Sequence, residues 1–354
     1  MAKRKRLIAS LDQIRARLAD APRALAFHPG GDFVTWKAQF KAKILELLGP
    51  FPDPVPLNAE VVEEVVVDDF EDAGIPAFTQ QKVVFDSEPY ASVVAYLLIP
   101  QCADGRERRP AILNAHGHGS GKSEMVGLDP KCYLPGSDAP TISAAALHLV
   151  KTGFVVLAPD WRPFGERSLD SVFARAGRDP CNVTYMSFGY FGVNLLALNI
   201  WDAQRSLDYL EKLPFIDPDR IGMVGLSYGG TLTTYATALD DRVKAAVVSG
   251  YCSTLNDAMS LRGKGNYCGS QYLPGLLQWG DIPDVVGLIA PRPLLIESGS
   301  LDDCFVIEDT NLAYEELQEI YAAAGATDKL ERDIADVPHQ YIFHKLVPFL
   351  QNYL

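Results

Sequence analysis

The stretch Gly-Leu-Ser-Tyr-Gly at residues 225–229 is the most informative feature of this sequence. It follows a short apolar run at residues 221–224, typical of a strand, and precedes residues 230–236, which are compatible with a helix. A serine between small residues, at a sharp turn from strand to helix, is presented above a sheet as a nucleophile. The start of the following helix also directs backbone N–H groups and partial positive charge toward the turn. The pattern therefore predicts that Ser227 is a nucleophile.

Apolar runs alternate with amphipathic segments on both sides of this motif. Continuous apolar runs of this length are typical of parallel strands buried on both faces. They lie at residues 111–115, 154–158, 221–226, 245–248 and 294–296. Between them, apolar residues recur at steps of three and four, which predicts helices near residues 196–210 and 313–324. The alternation predicts an α/β fold with a mostly parallel central sheet and helices on both faces.

Other segments of the chain do not follow this alternation of apolar runs and amphipathic helices. Residues 61–67, 77–85 and 90–99 predict antiparallel strands at one edge of the sheet. Two helices are expected between residues 7 and 48, so we predict an N-terminal helical extension at 1–57 and a catalytic domain at 58–354. Segments 168–193 and 251–287 are predicted to be cap-like insertions over the carboxyl ends of the strands.

Composition excludes several classes of partner. The chain has 354 residues, 48% of them hydrophobic, and a net charge of −13. This charge argues against nucleic-acid or anionic-membrane partners. The basic start of the chain lacks a following apolar segment of signal-peptide length, and no apolar run reaches membrane-spanning length, so we expect a soluble cytoplasmic protein. The six cysteines show no C-x-x-C pair and no zinc spacing, which predicts free thiols.

A serine nucleophile needs a base, usually a histidine that a carboxylate orients. Only His339 and His344 follow Ser227 in the chain. His339 comes directly after Pro338, which indicates a loop, whereas His344 lies in a stretch that looks helical. A loop position suits a general base, so we predict that His339 is the base.

The orienting acid is expected on a loop after a late strand. Residues 294–296 form that strand candidate, and Asp302 and Asp303 follow it. The order serine, acid, histidine is the one typical of hydrolases built on this strand–turn–helix motif. Spacing alone does not separate the two neighbouring aspartates.

Backbone N–H groups must stabilise the oxyanion that forms when the serine attacks a carbonyl. One donor is expected to be the N–H of Tyr228, and the second should come from the His-Gly-His-Gly loop at residues 116–119. His116 and His118 also suggest a metal pair, but no third ligand is nearby in sequence, so we predict no metal. Residues 117–123 resemble a phosphate loop but hold one residue too few between the glycines.

Four motifs, at residues 116–119, 160–167, 225–230 and 290–296, resemble the dienelactone hydrolase-like and acetyl xylan esterase-like branch of the α/β-hydrolases. The resemblance implies the α/β-hydrolase fold, hydrolysis of a small-molecule ester through an acyl-enzyme, and no cofactor. It places the acid at Asp302, in a Gly-x-x-Asp pattern, and the early oxyanion donor at the N–H of His118. Dienelactone hydrolases are similar to this fold but use cysteine where this chain has Ser227, which favours ester hydrolysis.

The predicted loops around the site supply candidate substrate contacts: His116, Trp161, Arg162 and Tyr251. Two other interpretations stay open. A prolyl oligopeptidase-type peptidase would share the catalytic domain, although about 110 residues before the first parallel strand are too few for a propeller. A non-catalytic protein with a hydrolase fold is the other interpretation, and the filled positions of all three catalytic residues argue against it.

Overall fold

A computed structural model describes residues 8–68, 76–101, 108–128, 144–168, 179–255 and 267–354. In these ranges one nine-stranded sheet is surrounded by α-helices. The strands are β1 Glu60–Val67, β2 Phe78–Glu88, β3 Ala91–Pro100, β4 Arg109–Ala115, β5 Val155–Pro159, β6 Ile216–Leu226, β7 Ala245–Ser249, β8 Leu294–Gly299 and β9 Leu330–Ala335. The helices are α1 Ser10–Ala19, α2 Phe33–Leu48, α3 Lys122–Met125, α4 Ala145–Val150, α5 Pro180–Gly189, α6 Leu195–Lys212, α7 Tyr228–Leu239, α8 Ile282–Gly287, α9 Ile307–Ala323 and α10 Leu346–Tyr353.

The strand order is β1-β2-β3-β5-β4-β6-β7-β8-β9. β1, β2, β3 and β5 pair antiparallel, and the strands from β5 to β9 along the sheet pair parallel. The predicted α/β class and antiparallel edge are therefore confirmed. The sequence pattern misses β9, because Leu-Glu-Arg-Asp-Ile-Ala has no apolar run and this strand lies at the edge of the sheet.

Both faces of the central strands are buried. Leu113 and Met223 belong to the larger apolar core, whereas their neighbours Ile112 and Val224 belong to a second core. Because successive side chains of a strand point to opposite faces, the two cores lie on opposite sides of the sheet. This explains why the central strands are apolar at almost every position.

The two predicted N-terminal helices are present as α1 and α2. Asp32 caps α2 by accepting a hydrogen bond from the N–H of Val34 at 3.1 Å. Trp36 and Phe40 stack at 5.8 Å and are buried in the larger core. A Cβ added to Gly280 would lie 2.7 Å from the Phe40 ring, so α2 fits closely against the segment before α8. The domain boundary at residue 57 stays a prediction.

The predicted insertions contribute α5 and α8, while residues 169–178 and 256–266 of those segments lie outside the described residues. No helix in the described ranges combines the length and the apolarity that crossing a membrane requires.

Candidate active site

Ser227 alone forms the turn between β6 and α7. Its backbone has φ of 61° and ψ of −118°, a conformation that costs about 1–3 kcal/mol for a residue with a side chain. Two glycines make the turn possible. A Cβ on Gly225 would lie 2.2 Å from the carbonyl oxygen of Gly229, and a Cβ on Gly229 would lie 2.1 Å from that of Ala115. The close crossing of β4, β6 and α7 therefore holds the serine in the strained turn that its motif predicts.

His339 and Asp302 form a hydrogen-bonded pair, with 2.7 Å between Nδ1 and Oδ2. The other oxygen of Asp302 accepts hydrogen bonds from the N–H groups of Cys304 at 2.7 Å and Phe305 at 2.9 Å. These bonds fix the buried carboxylate. Because Asp302 can only accept when ionised, Nδ1 of His339 carries the proton in this bond. Nε2 is then the basic nitrogen of the ring.

Packing orients the His339 ring. The Phe305 ring stacks on it at 5.7 Å, and a Cβ added to Gly250 would lie 3.0 Å from its Cε1 atom. Ser227 and His339 line the same cleft, whose volume is about 300 Å³. The remaining lining residues are Gly117, His118, Glu124, Met125, Leu226, Cys304, Phe305, Gln340 and Tyr341. Nucleophile and base candidates from distant parts of the chain thus share one cleft.

The alternative acid and base lie elsewhere. Asp303 is exposed, unlike its buried neighbour Asp302. His344 is 3.7 Å from Asp333, and its side chain is 68% exposed. The expectation that His344 lies in a helix is wrong, because α10 begins only at Leu346. The structure brings His339 and Asp302 together and leaves both alternatives outside the pair.

The loop at residues 116–119 passes beside the serine. A Cβ on Gly117 would lie 3.1 Å from the carbonyl oxygen of Leu226 and 3.5 Å from Cβ of Ser227. Tyr228 is the first residue of α7, where a backbone N–H has no partner within the helix. The side chain of Tyr228 is buried, and its hydroxyl oxygen accepts a hydrogen bond from Nδ2 of Asn199 at 2.6 Å. Any contact of Tyr228 with a substrate is therefore made through its backbone.

His116 and Trp161 support this loop from behind. His116 is fully buried, and its Nε2 accepts a hydrogen bond from the backbone N–H of Trp161 at 3.0 Å, while its Nδ1 lies 2.7 Å from the carbonyl oxygen of Gly117. Burial lowers the pKa of His116 to about 4, so the ring is neutral. Trp161 is also fully buried. The expectation that these two side chains contact substrate is corrected, since neither reaches the cleft surface.

The expectation that the side chains of Arg162 and Tyr251 contact substrate is also wrong, because both are buried. The guanidinium of Arg162 is buried in ion pairs with Asp202 at 3.0 Å and Glu88 at 2.5 Å. Tyr251 is 1% exposed, with the Phe305 ring at 5.9 Å. Neither side chain lines the cleft.

An anchor that sequence reasoning missed holds the far end of the glycine loop. Asp160 accepts hydrogen bonds from the backbone N–H and from Nζ of Lys122, both at 2.7 Å, and from the N–H of Glu166 at 2.9 Å. Cβ atoms on Gly121 and Gly165 would each lie 2.2 Å from Asp160. The only available sequence signal was the motif at 160–167, which contains no feature that assigns it to loop anchoring.

Comparison with known proteins identifies the class. A family model described as "Abhydrolase family" matches residues 2–332, and the chain belongs to this family. The Bacillus subtilis (strain 168) protein "Putative hydrolase YtaP" is 27% identical over 331 residues, which cover 90% of this chain and 100% of that protein.

Solved structures share the fold across nearly the whole chain. One, of "a putative acetyl xylan esterase" from Bacteroides fragilis NCTC 9343, has a TM-score of 0.77 at 20% identity and covers 100% of this chain and 97% of that chain. Another, of a glucuronoyl esterase from Solibacter usitatus, has a TM-score of 0.62 at 18% identity and covers 93% of this chain and 96% of that chain. These similarities confirm the predicted α/β-hydrolase fold.

Proposed function

We propose that this protein is a serine carboxylesterase that hydrolyses esters of small or medium acyl groups through an acyl-enzyme. The observation that carries the proposal is one cleft lined by Ser227, in a strained turn, and by His339, hydrogen-bonded at 2.7 Å to Asp302. This combination provides a nucleophile, a base and an orienting acid. The fold neighbours that are described as esterases support ester hydrolysis as the reaction class.

In the first half-reaction, Oγ of Ser227 attacks the ester carbonyl carbon while Nε2 of His339 takes the hydroxyl proton. Asp302 stabilises the resulting imidazolium through Nδ1. The negative charge moves to the former carbonyl oxygen, which the N–H groups of His118 and Tyr228 bind. The intermediate collapses, and the C–O bond to the alcohol breaks. The proton on Nε2 passes to the departing alkoxide.

In the second half-reaction, water replaces the alcohol. Nε2 of His339 takes a proton from the water as the water oxygen attacks the acyl carbon. The same two N–H groups hold the second oxyanion. Collapse breaks the bond to Oγ, and the proton returns from His339 to Ser227. The enzyme is regenerated and a carboxylic acid leaves.

The cleft favours a small acyl group. Its volume of about 300 Å³ lies at the lower end of ligand sites, which span about 300–1,000 Å³. Met125, Leu226 and Phe305 give it apolar walls that suit a short acyl chain. Acetylated carbohydrates are therefore the first substrate class to test, because a fold neighbour is described as an acetyl xylan esterase.

The decisive experiment compares Ser227→Ala with the wild type in hydrolysis of p-nitrophenyl acetate. We expect a loss of about 10⁶-fold in kcat, the size typical of removing a serine nucleophile. Ser168→Ala is the matched control, because Ser168 is exposed and lies outside the cleft lining. Retention of most activity in Ser227→Ala would refute the proposal.

Two further readouts separate the alternatives. A fluorophosphonate probe should label the wild type and not Ser227→Ala, whereas a non-catalytic protein would remain unlabelled. A prolyl oligopeptidase-type peptidase would cleave prolyl p-nitroanilides, and we expect the esterase to leave these amides intact. Acetylated xylose oligomers then test the carbohydrate class directly.

A further inference from the structure

Three donor atoms with an affinity for transition metals meet beside the glycine loop. Nε2 of His118 and the Sγ atoms of Cys181 and Cys268 all lie within 4.8 Å of one another. The distance from His118 Nε2 to Cys268 Sγ is 3.0 Å. The three residues are 63 or more positions apart in the chain, counted from 118 to 181 and from 181 to 268. Their spacing therefore matches no local zinc motif.

The donor set matches the preference of zinc. Zinc binds cysteine sulfur at about 2.3 Å and histidine nitrogen at about 2.0–2.1 Å, in tetrahedral geometry. Two such donors around one ion are separated by about 3.5–3.8 Å, which follows from those bond lengths. The present distance from His118 Nε2 to Cys268 Sγ, 3.0 Å, is about 0.5 Å shorter than this separation, and the other two distances are at most 4.8 Å. Three protein ligands would leave a fourth position for water or for the Ser270 hydroxyl, which lies 2.7 Å from Cys268 Sγ.

The two thiol-bearing segments are already fixed to each other. The N–H of Gly269, next to Cys268, donates to the side-chain oxygen of Asn182, next to Cys181, at 2.7 Å. The side chain of Asp179 accepts from the N–H of Cys181 at 2.9 Å and caps α5. Both cysteines are thus held in place by hydrogen bonds that do not involve their sulfur atoms.

Aromatic contacts orient the third donor. The His118 ring contacts the Phe164 ring edge-on at 5.4 Å and the Tyr228 ring at 5.5 Å. His118 is exposed, whereas Cys181 is buried, so an ion can reach the cluster from the histidine side. The arrangement has the orientation and access that a metal site requires.

We propose that His118, Cys181 and Cys268 form a zinc-binding site. A bound ion would join α5 and the segment at 268–270 to the glycine loop beside Ser227. Zinc binding at this cluster does not require esterase activity, so the site and the proposed function can fail independently.

The test uses the purified full chain, kept reduced, stripped with a chelator and titrated with Co²⁺. Cobalt in a tetrahedral site with two thiolates gives sulfur-to-cobalt charge-transfer absorption in the near ultraviolet and intense visible bands. We expect one Co²⁺ per chain and complete displacement by one Zn²⁺. Cys181→Ser and Cys268→Ser should each halve the charge-transfer intensity or abolish binding. His118→Ala should weaken Zn²⁺ binding by at least about tenfold, since even outer-shell partners contribute that much.

Two cysteine variants serve as controls. Cys252 is buried outside the cluster, so Cys252→Ser should leave the cobalt spectrum unchanged. Cys304 belongs to a second donor group with Asp302 and His339, and Cys304→Ser shows whether cobalt binds there instead. Loss of the spectrum in Cys304→Ser, with retention in Cys181→Ser and Cys268→Ser, would overturn the proposal.

A redox role for the cysteine pair is the competing outcome. Absence of a cobalt spectrum in the reduced wild type would refute the zinc site. Loss of two titratable thiols on mild oxidation of the same protein would then indicate that Cys181 and Cys268 form a disulfide. Circular dichroism establishes that each variant is folded. Because the His118 side chain is exposed, His118→Ala keeps the test decisive even where a cysteine variant fails to fold.

Discussion

Asp302→Asn is the most informative perturbation of the proposed machinery, because the surroundings of Asp302 dictate how an asparagine must sit. Oδ1 of Asp302 accepts two hydrogen bonds, from the N–H groups of Cys304 and Phe305. An asparagine must keep its oxygen there, because the reverse orientation would set an NH₂ group against two N–H donors at about 1–3 kcal/mol for each unsatisfied group. Its NH₂ group would then face Nδ1 of His339. Nδ1 would become the acceptor, and the ring proton would move to Nε2.

A proton on Nε2 removes the base that Ser227 requires. The expected loss in kcat is about 10⁴-fold, as in serine–histidine–aspartate triads with the same substitution. At 1.36 kcal/mol per tenfold this equals about 5.4 kcal/mol of transition-state stabilisation. The assay is hydrolysis of p-nitrophenyl acetate at saturating substrate, with thermal unfolding to establish that the variant folds. Asp303→Asn is the control, because Asp303 is exposed, and it should stay within about threefold of the wild type.

Retention of more than a tenth of wild-type kcat by Asp302→Asn would contradict the predicted change of tautomer. Loss of activity in Asp303→Asn would contradict the role of Asp302, since the orienting acid would then be the neighbouring residue.

The remaining predictions concern stability and are measured by urea unfolding. Gly229→Ala should lower the free energy of unfolding by about 3 kcal/mol or more, because its Cβ would lie 2.1 Å from a backbone oxygen. Gly189→Ala, where nothing lies within 4 Å, should not destabilise. Asp160→Asn should cost about 1–3 kcal/mol, because Asp160 accepts from Nζ of Lys122 and from two backbone N–H groups and an amide cannot accept at both positions, although Glu166 at 2.5 Å still pairs with Lys122. Glu46→Gln, at an exposed ion pair, should cost under about 1 kcal/mol. Burial raises the pKa of Glu297 to about 7, from 4.5. The folded state binds the Glu297 proton more tightly than the unfolded state, so the stability from this proton is fully present below pH 4.5 and is lost as the pH rises through 7. Glu297→Gln should therefore be more stable than the wild type at pH 8, by up to about 3 kcal/mol. This gain in stability should vanish near pH 4.5. An equal gain at both pH values would contradict that pKa shift.

Local signals were sufficient where the chemistry is local. The central strands were predictable because burial on both faces demands continuous apolar runs, as at residues 111–115. The strained turn at Ser227 was predictable because it needs glycine at both flanks, and this requirement leaves a short motif in the sequence. The order of the chain also indicated His339, the first histidine after the serine and one in a loop.

The amino-acid pattern was sufficient to predict the α/β class, the position of the serine turn and a short choice of partner residues for Ser227, because these depend on periodicity and on neighbours in the chain. The tertiary structure was needed to show that Asp302, and not Asp303, is hydrogen-bonded to His339, since the direction of a side chain in a turn depends on which backbone N–H groups are available to bind it. The burial of His116, Trp161, Arg162 and Tyr251 was also a tertiary outcome, because residues in predicted loops can face either the cleft or the core. The cluster of His118, Cys181 and Cys268 was invisible for the same reason. Its members are distant in the chain, and the folded sheet with its surrounding segments brings them within 4.8 Å.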